Sequence, residues 1–217
     1  HYGGTPRCTN VIIKKGIKRV FFSIYNKKST VTRLSKKKLN IKNVKVYKIN
    51  QGEFNSFYQS YFINKKNCEP LIDAKIAVSK DYYTINKKSK WITNSLSRKR
   101  VHLIRSNYDA IISTSKSINL DNSQLNCRLN GYDINTPDLF IIDLNLKIKK
   151  NLKLFKQLNK RMIFLITSEK NKKKKLFFIK LGFKILFIEK LLNKNDFVKL
   201  FKTIQKLGYN RLLIESG

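Results

Sequence analysis

The clearest pattern along the chain lies in its second half, where short apolar runs alternate with longer amphipathic stretches. LFIIDLN (139–145), MIFLIT (162–167) and FKILFI (183–188) are near-continuous apolar segments of strand length, as expected of strands buried on both faces of a parallel sheet. Between the last two, a Lys-rich segment predicts a helix ending at Gly182. A second predicted helix puts Phe197, Leu200, Phe201, Ile204 and Leu207 on one face and stops at Gly208, before RLLIES (211–216). Strand, helix, strand, helix, strand with glycine stops predicts an α/β fold around a twisted parallel sheet. Ligands of such sheets sit beyond the carboxyl ends of the strands, so the residues just after RLLIES and LFIID are the first place to expect a site.

The first half is less regular. PLIDAKIAVS (70–79) reads as a strand, SLSRKRVHLIRSNY (95–108) as a helix and AIISTS (110–115) as a strand. Upstream, a helix from Asn10 to Lys15 is expected to stop at Gly16 and lead into the strand RVFFSI (19–24). Residues 26–43 carry a weak helical pattern, VKVYKI (44–49) alternates like a half-buried strand, and EFNSFYQSYF (53–62) has aromatics at helical spacing. INKKNCEP (63–70) reads as a linker, dividing the chain into residues 1–66 and 67–217.

Composition narrows the classes. A chain of 217 residues, 41% hydrophobic, can fill one generous core or two modest ones. Its longest apolar runs are too short to span a bilayer and its first residues lack a signal-peptide layout, so a soluble, cytoplasmic protein with no membrane partner is expected. Three widely spaced cysteines, Cys8, Cys68 and Cys127, with no C-x-x-C, read as reduced thiols. The formal net charge is +34, from 47 Lys plus Arg against 13 Asp plus Glu. These cations run through the whole chain beside abundant Asn, Ile and Phe, and so read as AT-rich codon usage before they read as a nucleic-acid surface. A basic nucleic-acid-binding α/β protein remains the alternative from another class, and steeply salt-dependent DNA affinity would mark it.

Self-contained catalytic motifs are absent: no P-loop, no G-x-G-x-x-G and no H-x-E, the only histidines being His1 and His102. His102 reads as a helix-surface or structural histidine. A lone Cys8 is ordinarily a small packed residue, but its setting, HYGGTPRC, resembles the zinc-binding turn H-[FY]-G-[RK]-T-P-P-C of the bifunctional riboflavin-biosynthesis deaminase/reductase family. His1, Tyr2, Gly3, Thr5, Pro6 and Cys8 match, whereas Gly4 and Arg7 depart. The resemblance implies that Cys8 is the last of three zinc ligands, with the H-x-E and first cysteine upstream of residue 1. Zinc in that family activates the water that deaminates a pyrimidine.

Further matches follow in order. PLIDAKIAVSKD resembles the reductase opening P-x-V-x-x-K-x-A-x-S-x-D, SKWITN (89–94) resembles S-x-W-I-T, and RKRVHLIRSNYDAI (98–111) resembles the R-x-x-V-H-x-L-R helix and following strand. SINLDNSQLNCR (117–128) resembles T-V-x-x-D-N-P-x-L-x-C-R, and LLIESG resembles L-L-V-E-G-G. The implied architecture is a partial cytidine-deaminase-like domain, residues 1–66, followed by a dihydrofolate-reductase-like α/β domain with a mostly parallel central sheet, residues 67–217. The implied reaction is NADPH-dependent reduction of 5-amino-6-(5-phosphoribosylamino)uracil at ribose C1. A reductase with a degenerate deaminase half is the nearer alternative.

By the same resemblance Arg105 and Arg128 bind the substrate phosphate, suited by their planar forks, and Ser89, Leu125 and Glu215 also contact substrate. Ala77 or Val78, Trp91, Ser117, Asp121 and Gly217 hold NADPH. Lys75 and Asp121 stand near the reacting groups. A phosphorylated pyrimidine is then the partner, with a homodimer formed through the reductase domain. Tyr82 occupies a family glycine position, where a side chain opposes positive φ and is expected to reshape the loop. Ser123 replaces a proline, and Leu144 a serine.

Overall fold

The computed structural model describes residues 8–24, 29–49, 52, 69–84, 91–132 and 136–215. The turn at 1–7, the expected helix at 53–62, most of the expected linker with Cys68, and the site residues Ser89 and Gly217 lie outside the described residues. The chain divides into two compact units, His1–Lys65 and Lys66–Gly217. No helix among the described residues is long and apolar enough to cross a membrane.

In the first unit, helix α1 (Cys8–Lys14) leads through Gly16 into strand β1 (Arg19–Phe22). Helix α2 (Ser29–Ile41) then carries the chain to β2 (Lys45–Lys48), which pairs with β1 in parallel with Arg19 opposite Lys45. Leu39 and Val44 are buried, and Lys38 Nζ donates to Asn10 Oδ1 at 2.7 Å, tying α2 to α1.

The second unit is a six-stranded sheet whose neighbouring strands are all parallel. Its strands are β3 (Leu71–Ala74), β4 (Ala110–Thr114), β5 (Asp138–Ile142), β6 (Ile163–Thr167), β7 (Lys184–Phe187) and β8 (Arg211–Ile214). They lie side by side in the order β3-β8-β4-β5-β6-β7. The chain therefore steps outward from β4 to β7 and returns to insert β8 between β3 and β4. The intervening helices are α3 (Ser95–Arg105), α4 (Ser115–Asp121), α5 (Lys172–Lys180) and α6 (Lys194–Lys206), with a 3-10 turn at Lys153–Gln157.

Strand alternation distributes the core. Ile111, Leu139, Ile141, Ile163, Leu165 and Leu213 face Ile118 of α4 and Phe178 of α5. Their neighbours Ala110, Ile112, Phe140, Ile166 and Leu212 face Leu200 and Ile204 of α6. Both faces are covered, which is why these strands read as continuous apolar runs. Of the five residues expected on the apolar face of α6, Leu200 and Ile204 are fully buried, each contributing about 2 kcal/mol. Gly182 and Gly208 stop their helices with φ of +100° and +103°, a backbone that glycine adopts without a Cβ clash.

Two elements depart from the sequence reading. The strand expected to run from 70 to 79 ends at Ala74, because its ladder on β8 closes with Lys75 N–H donating to Ile214 O at 2.9 Å. The strand expected over 110–115 ends at Thr114, which caps α4 through its side chain, accepting from Ser117 N, so that Ser115 already belongs to the helix. Asn122 terminates α4 in the left-handed region at φ +48°.

Candidate functional site

The C-terminal ends of β3, β8 and β4 open onto one cleft of about 550 Å³. Helix α3 forms one wall. Asn94 caps it, accepting from Ser97 N at 2.8 Å, and the positions i, i+3, i+4 and i+7 (Arg98, Val101, His102 and Arg105) all line the cleft. The guanidinium of Arg98 stacks 4.5 Å from the ring centre of Trp91, a cation–π contact that steadies a half-exposed indole at the rim.

Arg105 and Glu215 meet across 110 residues of sequence in a buried two-point ion pair. Arg105 Nε–H donates to Glu215 Oε1 at 2.6 Å and Nη2–H to Oε2 at 2.9 Å. Arg105 Nη1–H donates to Asn126 O at 3.0 Å, and Lys75 Nζ lies 3.5 Å from Glu215 Oε2. Burial pushes the Glu215 carboxyl up, but the bonds and charge of Arg105, with Lys75, outweigh burial and hold it below the ordinary 4.5. Arg105 thus lines the cleft while paired with Glu215, a carboxylate it shares with Lys75.

The remaining wall is the loop after α4. Leu125 is buried with φ +48°, a costly backbone for a branched side chain. Arg161 locks it from below, donating to Leu125 O and Pro137 O, both at 2.8 Å, and to Gln124 O. Burial pulls the Arg161 pKa down to about 10. Asn126 is the hub of the loop. Its carbonyl accepts from Arg105 and from His102 Nδ1 at 2.9 Å, its side-chain oxygen accepts from Arg128 Nη1 at 3.2 Å, and its Nδ2 donates to Gln157 at 3.3 Å.

Of the residues expected at the site, Lys75, Ala77, Trp91 and Arg105 line this cleft, as do Ser117, Asp121, Leu125, Arg128 and Glu215. Val78 is not among its lining residues. Nine further lining residues were not among the expected site residues, Arg98, His102, Thr84 and Ser113 among them. Of the two readings of His102, helix-surface or structural, its bond to Asn126 O agrees with the second, and it lines the cleft as well, on the i, i+4, i+7 spacing with Arg98 and Arg105. Ser113 sits on β4 as a buried hydroxyl without a hydrogen-bond partner among the described residues. Cys127 is a free, buried thiol.

Two expectations are corrected. The end of β5 is not a ligand site: Asp143 is buried and accepts from Lys147 N and Ile148 N, both at 2.8 Å, so its carboxylate closes a turn. Tyr82 adopts the positive φ that its side chain was expected to oppose. It takes φ +65°, with Tyr82 N–H donating to Ser79 O at 3.0 Å and Tyr83 N–H to Ser79 Oγ at 2.9 Å.

Cys8 begins α1 and is exposed, and the described residues contain no cluster of three His, Cys, Asp or Glu able to hold a metal. They do not assemble a zinc site. A nicotinamide fits the cleft better: Trp91, Ala77 and Leu125 offer apolar surface beside the hydroxyls of Ser113 and Ser117.

The model of the RibD C-terminal domain family matches residues 70–217. Among curated proteins, the riboflavin biosynthesis protein RibD of Buchnera aphidicola is 29% identical over 241 residues, and that of Aquifex aeolicus 26% over 220. These alignments cover 100% of this chain but 61% and 60% of the relatives, so the chain spans about three fifths of their length. Among solved structures, Acinetobacter baumannii RibD superposes with a TM-score of 0.72 at 23% identity, covering 100% of this chain and 60% of that one. A Thermotoga maritima diaminohydroxyphosphoribosylaminopyrimidine deaminase/5-amino-6-(5-phosphoribosylamino)uracil reductase gives 0.74 at 21% identity, with 100% and 58% covered. These likenesses carry the fold: α/β, with a mostly parallel central sheet.

Proposed function

The chain belongs to the RibD C-terminal domain family, and from that premise we propose that residues 67–217 form a reductase of riboflavin biosynthesis. In this reading it uses NADPH to convert 5-amino-6-(5-phosphoribosylamino)uracil to its ribitylamino product. The observation that carries the reading is the convergence of nine of the expected site residues on one cleft at the ends of β3, β8 and β4.

NADPH, when bound, supplies the hydride that reduces ribose C1. Ala77, Trp91, Ser117 and Asp121 would hold it, with Gly217 as a fifth expected contact. Arg128, exposed at the loop and without an ion pair among the described residues, takes the substrate phosphate. Lys75, paired with Glu215 just after β3, donates a proton to the sugar oxygen as the ring opens in this reading. Leu125 packs against the base, and Ser89 adds a polar contact. Arg105 acts through Glu215 and Asn126, fixing Lys75 and the loop instead of touching the phosphate.

Residues 1–66 are, in the same reading, the C-terminal part of a zinc-dependent pyrimidine deaminase, with Cys8 as a ligand. Alignments that run over the entire chain support this, and a cytoplasmic homodimer through the reductase domain completes the proposal. The test is NADPH oxidation by the intact protein with the phosphoribosylaminouracil substrate, supplied directly so that deamination is bypassed. Turnover dependent on both substrates is expected; folded protein that turns over nothing would sink the reading.

A further inference from the structure

His102 has two neighbours that between them fix its chemistry. Its Nδ1 lies 2.9 Å from Asn126 O, and a carbonyl only accepts, so Nδ1 carries the proton. Its Nε2 lies 3.5 Å from Arg128 Nη2, and a guanidinium only donates, so Nε2 must present a lone pair. A single state, the neutral imidazole protonated on Nδ1, satisfies both contacts.

The surroundings agree with that state. Arg105 on the same helix and Arg128 on the loop both face the ring, and Glu215 at the end of β8 is already occupied by Arg105 and Lys75. Burial, together with these two arginines, lowers the His102 pKa from its ordinary 6.5, against the Asn126 hydrogen bond that raises it.

The guanidinium of Arg128 is then gripped at both ends. Nη1 donates to Asn126 Oδ1 at 3.2 Å and to Gln124 Oε1 at 3.4 Å, while Nη2 meets His102. All three acceptors are neutral, and the described residues form no ion pair to Arg128. The fork is oriented without its charge being cancelled, which is what an anion site needs.

We propose that His102 is a positioning residue for Arg128, its Nε2 lone pair holding the guanidinium plane in the orientation that receives the substrate's phosphate. This rests on the phosphate reading of Arg128 given above. The same imidazole joins α3 to the loop through Asn126 O, so the helix that carries Arg105 also sets the attitude of Arg128.

Three variants of the intact protein separate the possibilities: His102→Asn, His102→Gln and Arg128→Gln, each assayed for KM of the phosphorylated substrate, KM of NADPH, kcat and urea midpoint. Asparagine keeps an amide donor for Asn126 O but is too short to reach Arg128. It is expected to raise the substrate KM about tenfold while NADPH KM and kcat stay within about twofold. Glutamine reaches the Nε2 position with an acceptor and is expected to restore the substrate KM to within about threefold of the parent. Equal effects of Asn and Gln, or a rise in both KM values together with a fall in urea midpoint, would mark His102 as merely structural and overturn the proposal. An unchanged KM in His102→Asn beside a raised one in Arg128→Gln would overturn it while leaving the phosphate reading intact. If Arg128→Gln itself left KM unchanged, the phosphate reading would fail and take the proposal with it.

Discussion

Arg105 and Arg128 line the same cleft with the same formal charge, yet they are held in opposite ways. Arg105 is buried and held by a two-point bond to Glu215 and a third bond to Asn126 O. Arg128 is exposed and, among the described residues, meets neutral acceptors, Gln124, Asn126 and His102, with no ion pair. A buried pair of that kind is a fixed strut whose rupture leaves a stranded charge, whereas an oriented and uncompensated guanidinium is a receptor. The motif spacing alone gives both arginines one role; the partners give them two.

The largest expected effect breaks the strut. Glu215→Ala leaves Arg105 buried without a carboxylate and should lower unfolding stability by about 3 kcal/mol in urea titration. A variant as stable as the parent would mean that the pair is not structural. Next comes the receptor: Arg128→Gln should change stability by no more than about 0.5 kcal/mol while raising the KM for the phosphorylated substrate about tenfold or more.

Acid sharpens the contrast. Glu215 has a folded pKa below 4.5, so the stability it contributes is present above 4.5 and is lost as pH falls through the folded value. His102 has a folded pKa below 6.5, so the unfolded chain takes its proton first and stability begins to fall below pH 6.5. The urea midpoint should therefore decline in two stages on acidification, the lower stage shrinking in Arg105→Gln. A midpoint that rises toward low pH would contradict both assignments. The smallest effect lies in the loop that follows β3: Tyr82→Gly should stabilise by about 1 kcal/mol, read as a raised urea midpoint, because the left-handed backbone at φ +65° no longer carries a side chain.

Much of the sheet was legible because a parallel strand buried on both faces must be apolar throughout, as AIIS, LFII and IFLI are. Helix α4 was not. Its sequence SKSINLD is short and polar, and its limits are set by the Thr114 cap and the left-handed Asn122, not by periodicity. Cleft residues on one helix face were readable in principle from the spacing of Arg98, His102 and Arg105. The pairing of Arg105 with Glu215 was not, since no local pattern links residues 110 positions apart. The end of β5 misled for a related reason: strand-end geometry says that a ligand can sit beyond a strand, but not that the backbone there has already claimed the Asp143 carboxylate.

The most direct test is steady-state kinetics of Arg105→Gln beside Arg128→Gln in NADPH-dependent reduction of the phosphoribosylaminouracil substrate, with urea midpoints measured on the same preparations. The account predicts a destabilised Arg105→Gln and a parent-like Arg128→Gln whose defect is confined to substrate KM. A parent-like Arg105→Gln that loses only substrate affinity, beside an Arg128→Gln with unchanged KM, would reverse the two roles and contradict it.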